Sequence, residues 1–123
     1  MFIAHIANNR IQTVKEHLFN TAHYASEKLS SVGLSSCGFF CGLLHDVGKL
    51  TEAFTNYISA AAKRENVKKG SVIHTFAAVR IILENYHHAF NNVLSVDQIR
   101  DTIAEILAIA VGSHHGLFDC FDE

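Results

Sequence analysis

Five histidines and one aspartate fall where helices would meet a core or come to an end. They are His17, the His45–Asp46 pair within HDVGK, His74, and the His114–His115 pair within SHHG. Neutral imidazole and carboxylate together suit zinc, iron, manganese, nickel or cobalt. An aspartate directly after a histidine brings two oxygens, so one carboxylate can bridge two ions. Two ions about 4 Å apart clamp the attacking and leaving oxygens of a phosphoryl transfer and lower the pKa of a bound water. Lys49 follows Asp46 by roughly one helical turn, and an ammonium there can balance phosphate charge in a transition state.

Each of these residues has a plainer reading when taken singly. His17 alone is a hydrogen-bonded core histidine, and His114–His115 alone is a charged helix terminus. Lys49 alone is a solvated lysine favoured by a helix dipole. It is the set, in its order and types, that points to metal. Lys63, Arg64, Lys68 and Lys69 put four cations within seven residues. Such a patch can hold phosphates, because backbone contacts dominate nucleic-acid affinity; a solvated loop is the bland alternative. Phe54, Tyr57, Phe118 and Phe121 could stack bases, with core packing favoured for the first two. His5, His23, His87 and His88 lie outside the pattern and read as surface or core histidines. Cys37 and Cys41, spaced i, i+4 on an apolar face, read as small buried hydrophobes.

Helical periodicity supplies the elements that must position the set. Val14, His17, Leu18, Thr21, Ala22, Ala25 and Leu29 recur at three- and four-residue steps and predict a helix from about Gln12 to Leu29. Gly33 is available as a left-handed cap. A second helix is expected from Ser35 or Ser36 to near Gly48, with Cys37, Phe40, Cys41 and Leu44 on one face. Its internal Gly38 and Gly42 suggest close helix packing. Thr51 caps a third helix, Glu52 to about Lys63, with Phe54, Tyr57 and Ile58 inward. A fourth is expected from about Val72 to His87, with Phe76, Val79, Ile82, Leu83 and Tyr86 as its stripe. Ser95 with Gln98 forms a capping box for a fifth, starting near Val96. Its expected buried stripe is Ile99, Ile103, Ile106, Leu107, Ala110 and Val111, and Gly112 its C-cap. The result is an all-α bundle of about five helices, with Phe2–Ile6 left open as a strand or a packed arm.

Composition agrees. The 123 residues are 49% hydrophobic and 18% charged, with no proline, which excludes a disordered chain and favours helix. The formal net charge of −2 excludes a global basic field. Three cysteines do not make a disulfide framework. The first residues do not read as a signal peptide. The densest apolar runs, Cys37–Leu44 and Ile106–Val111, fall far short of the roughly 18 residues of a membrane span. The expectation is one soluble, cytoplasmic domain over residues 1–123.

The order His17, His45–Asp46–x–Gly48–Lys49, His74, His114–His115–Gly116 resembles the HD superfamily of metal-dependent phosphohydrolases. The histidine pair before Gly116, Phe54 and Tyr57 shortly after HDVGK, and the SHHGLFD ending narrow the likeness. They resemble the HD nuclease domain of the CRISPR-associated helicase–nuclease that acts in type I interference. The resemblance runs from about Gln12 to Asp119. It implies that His45 and Asp46 are metal ligands, with Asp46 bridging, that His17 lies at the first metal, and that His74, His114 and His115 complete the second. Lys49 would be catalytic or phosphate-orienting. The implied cofactor is one or two divalent ions (Mn, Fe, Ni, Co or Zn, with Mg a further option). The implied activity is cleavage of single-stranded DNA fed from a helicase motor, attached or separate, with recruitment by an RNA-guided surveillance complex.

The family pattern also has a metal-binding aspartate on a later helix. Asp119 and Asp122 follow His115 too soon for that role and read as a solvated loop. The chain is therefore expected to be the N-terminal portion of a longer domain. No Gly-rich phosphate loop of a motor occurs in it. Two other readings stay open: an HD phosphohydrolase of nucleotides or cyclic nucleotides, and an inactive metal-binding fragment serving as an interaction module.

Overall fold

A computed structural model describes residues 1–8, 10–68, 70–90 and 97–116 of the chain. The expected Ser95–Gln98 capping box, Lys69, Phe118, Asp119, Phe121 and Asp122 lie outside the described residues, as do the side chains of Tyr86, His87 and His88.

The open question at the N-terminus resolves as a strand. β1 (Ile3–Ala7) pairs antiparallel with β2 (Arg10–Thr13), with a register irregularity between Ile3 and His5. The first helix, α1 (Val14–Leu29), therefore begins later than its periodicity suggested, because Gln12 and Thr13 are in β2. Thr13 is its N-cap: the hydroxyl accepts from the Glu16 N–H and the Glu16 carboxylate accepts from the Thr13 N–H, a full capping box. A 3-10 turn over Ser30–Val32 follows, and Gly33 caps it with φ of 75°.

The second helix, α2 (Ser35–Leu44), is shorter than expected. It stops before His45, and Val47–Lys49 forms a separate 3-10 turn. Its glycines serve close packing. A Cβ at Gly38 would stand 2.5 Å from the Ala25 carbonyl oxygen, and one at Gly42 would stand 2.6 Å from the Ala22 Cα. Real Cβ atoms cannot approach so closely, so α1 and α2 pack at a distance that only glycine permits.

Helix α3 (Glu52–Ala62) is capped by the Thr51 hydroxyl, which accepts from the Phe54 N–H. It buries Phe54 and touches β1. Helix α4 (Phe76–Phe90) starts one turn later than Val72, so His74 lies ahead of it. Helix α5 spans Asp97–Gly112.

The main core packs Ala78 and Ile82 of α4 against Ala104, Leu107, Ala108 and Val111 of α5, with Cys37, Phe40, Cys41 and Leu44 of α2 over them. A smaller cluster joins Ala4, Val14 and Leu18. The expected stripes of α4 and α5 were partly misassigned: Phe76, Leu83, Ile99 and Ile106 are exposed. Both helices carry apolar residues around much of their circumference, so periodicity alone could not choose the buried face. The faces that pack are those where alanines let two helices approach. Among the described residues no helix is long and apolar enough to cross a membrane.

Candidate metal centre

The centre is built around Asp46, which is 2% exposed. Its two oxygens face different groups. His17 Nε2 is 2.8 Å, His45 Nε2 3.2 Å and Lys49 Nζ 2.8 Å from Oδ2. His114 Nε2 is 3.1 Å, His74 Nε2 3.4 Å and His115 Nε2 3.7 Å from Oδ1. Across the chain these residues come from α1, the turn after α2, the segment before α4, and the turn after α5. The structure thus brings together all the histidines singled out by the motif order.

Local structure aims each ring. His45 Nδ1 lies 2.8 Å from the Gly42 carbonyl, and His114 Nδ1 lies 2.6 Å from that of Val111. A carbonyl only accepts, so Nδ1 donates in both, and Nε2 is the atom turned towards Asp46. His74 is placed by backbone contact. A Cβ at Gly48 would lie 2.1 Å from the His74 carbonyl oxygen, so the glycine of HDVGK lets the 3-10 turn abut this segment. Phe54 of α3 stands edge-on to the His74 ring at 4.9 Å.

The donor set fits divalent cations. With Nδ1 donating to a carbonyl, a neutral ring at His45 or His114 would turn its Nε2 lone pair to a carboxylate oxygen. Acceptors repel at such distances unless a proton or cation lies between them. His17 Nε2 and His45 Nε2 are 3.0 Å apart, as are His74 Nε2 and His115 Nε2. Those spacings match the edge of a coordination polyhedron with bonds near about 2.1 Å. Two donor groups sharing Asp46 can be drawn: Asp46 with His74, His114 and His115, and Asp46 with His5 and His17.

The electrostatics follow from the same contacts. Burial alone would raise the Asp46 carboxyl, but hydrogen bonds from His114, His45, His74 and Lys49 outweigh it and hold the group ionised far below the usual carboxylate range. Burial lowers the His17 imidazole, against the pull of Asp46. It also tends to lower His114, yet there the bonds to Asp46 and Val111 prevail and the imidazole is raised. Burial and the neighbouring His114 lower His115.

The structure decides against the plainer reading of Lys49 and adds a neighbour to His17. Lys49 is 3% exposed, its ammonium on Asp46 and 5.4 Å from the centre of the Phe54 ring, so it is not a solvated helix-terminal lysine. His5, read as a surface or core histidine, is exposed and stands edge-on to the His17 ring at 4.8 Å. Hairpin pairing carries it there, and helical periodicity held no signal for that. The basic residues Lys63, Arg64 and Lys68 are exposed in the connection after α3. The structure does not bring them into the set of groups paired with Asp46. Phe54 is buried and Tyr57 half-buried, in keeping with core packing.

Comparison with known proteins adds the family. Searches of curated proteins and of solved structures return no match. A family model described as Cas3, HD domain, matches residues 2–122. The match spans nearly the whole chain and contains every group gathered around Asp46, and the chain belongs to the Cas3 HD domain family.

Proposed function

We propose that this chain is a metal-dependent nuclease domain that cleaves the phosphodiester bonds of single-stranded DNA in CRISPR interference. The observation that carries the reading is the division of labour at Asp46. One buried carboxylate presents Oδ2 to His17 and His45 and Oδ1 to His74, His114 and His115. These six residues would hold one or two divalent ions, with Asp46 bridging. Nitrogen-rich donors with a single carboxylate favour Mn, Fe, Co, Ni or Zn over Mg.

A bound ion pair supplies charge stabilisation and an activated water for phosphodiester hydrolysis. The chain's own residues do the rest. Gly42 and Val111 fix the His45 and His114 tautomers. Lys49 keeps a positive charge beside Asp46, where it can offset phosphate charge. His115 is the most exposed of the histidines paired with Asp46, at 41% of its side chain, so substrate approaches on that side. Lys63, Arg64, Lys68 and Lys69 would hold the DNA backbone away from the reacting bond. A helicase motor would feed the strand, and an RNA-guided surveillance complex would recruit the domain in the cytoplasm.

The test combines metal analysis with cleavage of single-stranded DNA, using Asp46→Ala as the control. Divalent-dependent cleavage that is lost in the variant is expected. Equal cleavage by Asp46→Ala refutes the reading. Hydrolysis of nucleotides or cyclic nucleotides with DNA left intact replaces it with a small-molecule phosphohydrolase.

A further inference from the structure

The Oδ2 side of Asp46 has a neighbour that helical periodicity did not supply. One ring nitrogen of His5, one of His17 and an Asp46 oxygen all lie within 4.8 Å of one another. Ligands on one ion with bonds of about 2.1 Å stand about 3.0 Å apart in an octahedral shell and about 3.4 Å apart in a tetrahedral one. His5 is exposed, so its side chain has the freedom to close the difference.

The backbone that carries His5 is anchored on several sides. Ala4 is fully buried against Val14 and Leu18. The Val14 N–H donates to the Phe2 carbonyl, and the Ile3 N–H donates to the Thr55 hydroxyl of α3. A regular strand would send His5 to the face opposite Ala4. The strand pairing has a register irregularity between Ile3 and His5, and bulges of this kind occur beside functional sites. His5 also lines an open groove of mixed polar and apolar character, with Arg10, Ile11 and Glu16 among its walls.

We propose that His5 is a further ligand of the cation held on the Oδ2 side of Asp46, beside His17 and His45. The inference rests on the two-ion form of the reading proposed above. The N-terminal hairpin is then part of the metal centre.

The test is calorimetric titration of the metal-free chain with Co2+, comparing wild type, His5→Ala, His5→Asp and His23→Ala. His23 is an exposed histidine packed on Phe39, outside the centre. Two ions per wild-type chain are expected. In His5→Ala one site keeps its affinity and the other weakens at least about tenfold. His5→Asp, which restores a ligand, recovers part of the loss, and His23→Ala changes neither site. A second measurement needs no variant. Loading the wild type with Cd2+ splits the His5 ring-nitrogen NMR signal by direct coupling to 113Cd. Two unchanged sites in His5→Ala, with no coupling at His5, overturn the role of His5 alone. A wild type that binds fewer than two ions overturns the two-ion reading and this inference with it.

Discussion

A lysine that is 3% exposed is costly unless its charge is paired, because burying an ammonium forfeits its hydration. Lys49 meets that cost through Asp46, and Asp46 depends on Lys49 in return. Removing one partner of a buried pair strands the other and typically costs about 3–5 kcal/mol. Five histidines also approach Asp46, so Lys49→Met is expected to lose about 3 kcal/mol in chelator, the lower end of that range. Added divalent ion should restore more stability to the variant than to wild type, since it gives Asp46 a new counter-charge. Urea unfolding with and without Mn2+ measures both; a loss below about 1 kcal/mol in chelator refutes the pairing argument. At this scale the sequence was informative about type and order. His17, His45, Asp46, His74, His114 and His115 were legible because each is an unusual residue at a helix face or end. The burial of Lys49 was not, because it depends on a 3-10 turn that folds the lysine back over Asp46. The approach of His5 to His17 was not legible, because strand pairing brings it there.

Among the elements, the α1–α2 contact shows how packing and chemistry share residues. Gly42 sits against Ala22 and also offers the carbonyl that fixes His45. Alanine there gains about 1 kcal/mol of helix propensity. Its Cβ would meet the Ala22 Cα at 2.6 Å, so the helices must separate. Overpacking of this kind costs about 1–3 kcal/mol, and the contact is backbone against backbone, which has little room to yield. Gly42→Ala is therefore expected to destabilise the chain and to weaken metal binding as the His45 carbonyl partner shifts. Thermal unfolding and ion titration check the two effects; a variant more stable than wild type, with unchanged affinity, rejects the close-packing account. Here the sequence showed five helices and the need for close approach at Gly38 and Gly42. It misplaced helix ends at Gln12, Gly48 and Val72 because capping and 3-10 geometry decide them. It also chose wrongly among the apolar faces of α4 and α5, where Phe76 and Ile99 matched the period as well as the residues that pack.

Over the whole molecule, the centre joins parts that are distant in sequence. Asp46 follows α2, His17 is on α1, His74 precedes α4, and His114 and His115 follow α5. Small alanine-lined contacts hold the helices, and the exposed apolar residues on α4 and α5 leave much of those helices outside the core. Cation binding should then stabilise the fold as a unit. An ion at one hundred times its Kd adds about 2.7 kcal/mol. Because the ligands span the fold, that gain should appear together in α1, α2 and α5 and not at one end. At lower pH it should shrink, because metal binding requires neutral imidazoles and protons compete with the ion for them. Hydrogen exchange with and without Mn2+, at pH 7.5 and 5.5, reads all of this. Joint slowing in the three helices at the higher pH, reduced at the lower and absent in Asp46→Ala, is the expected result. Protection confined to the α5 end would mean that a site on the Oδ1 side alone takes up ion and that the centre does not tie the fold together.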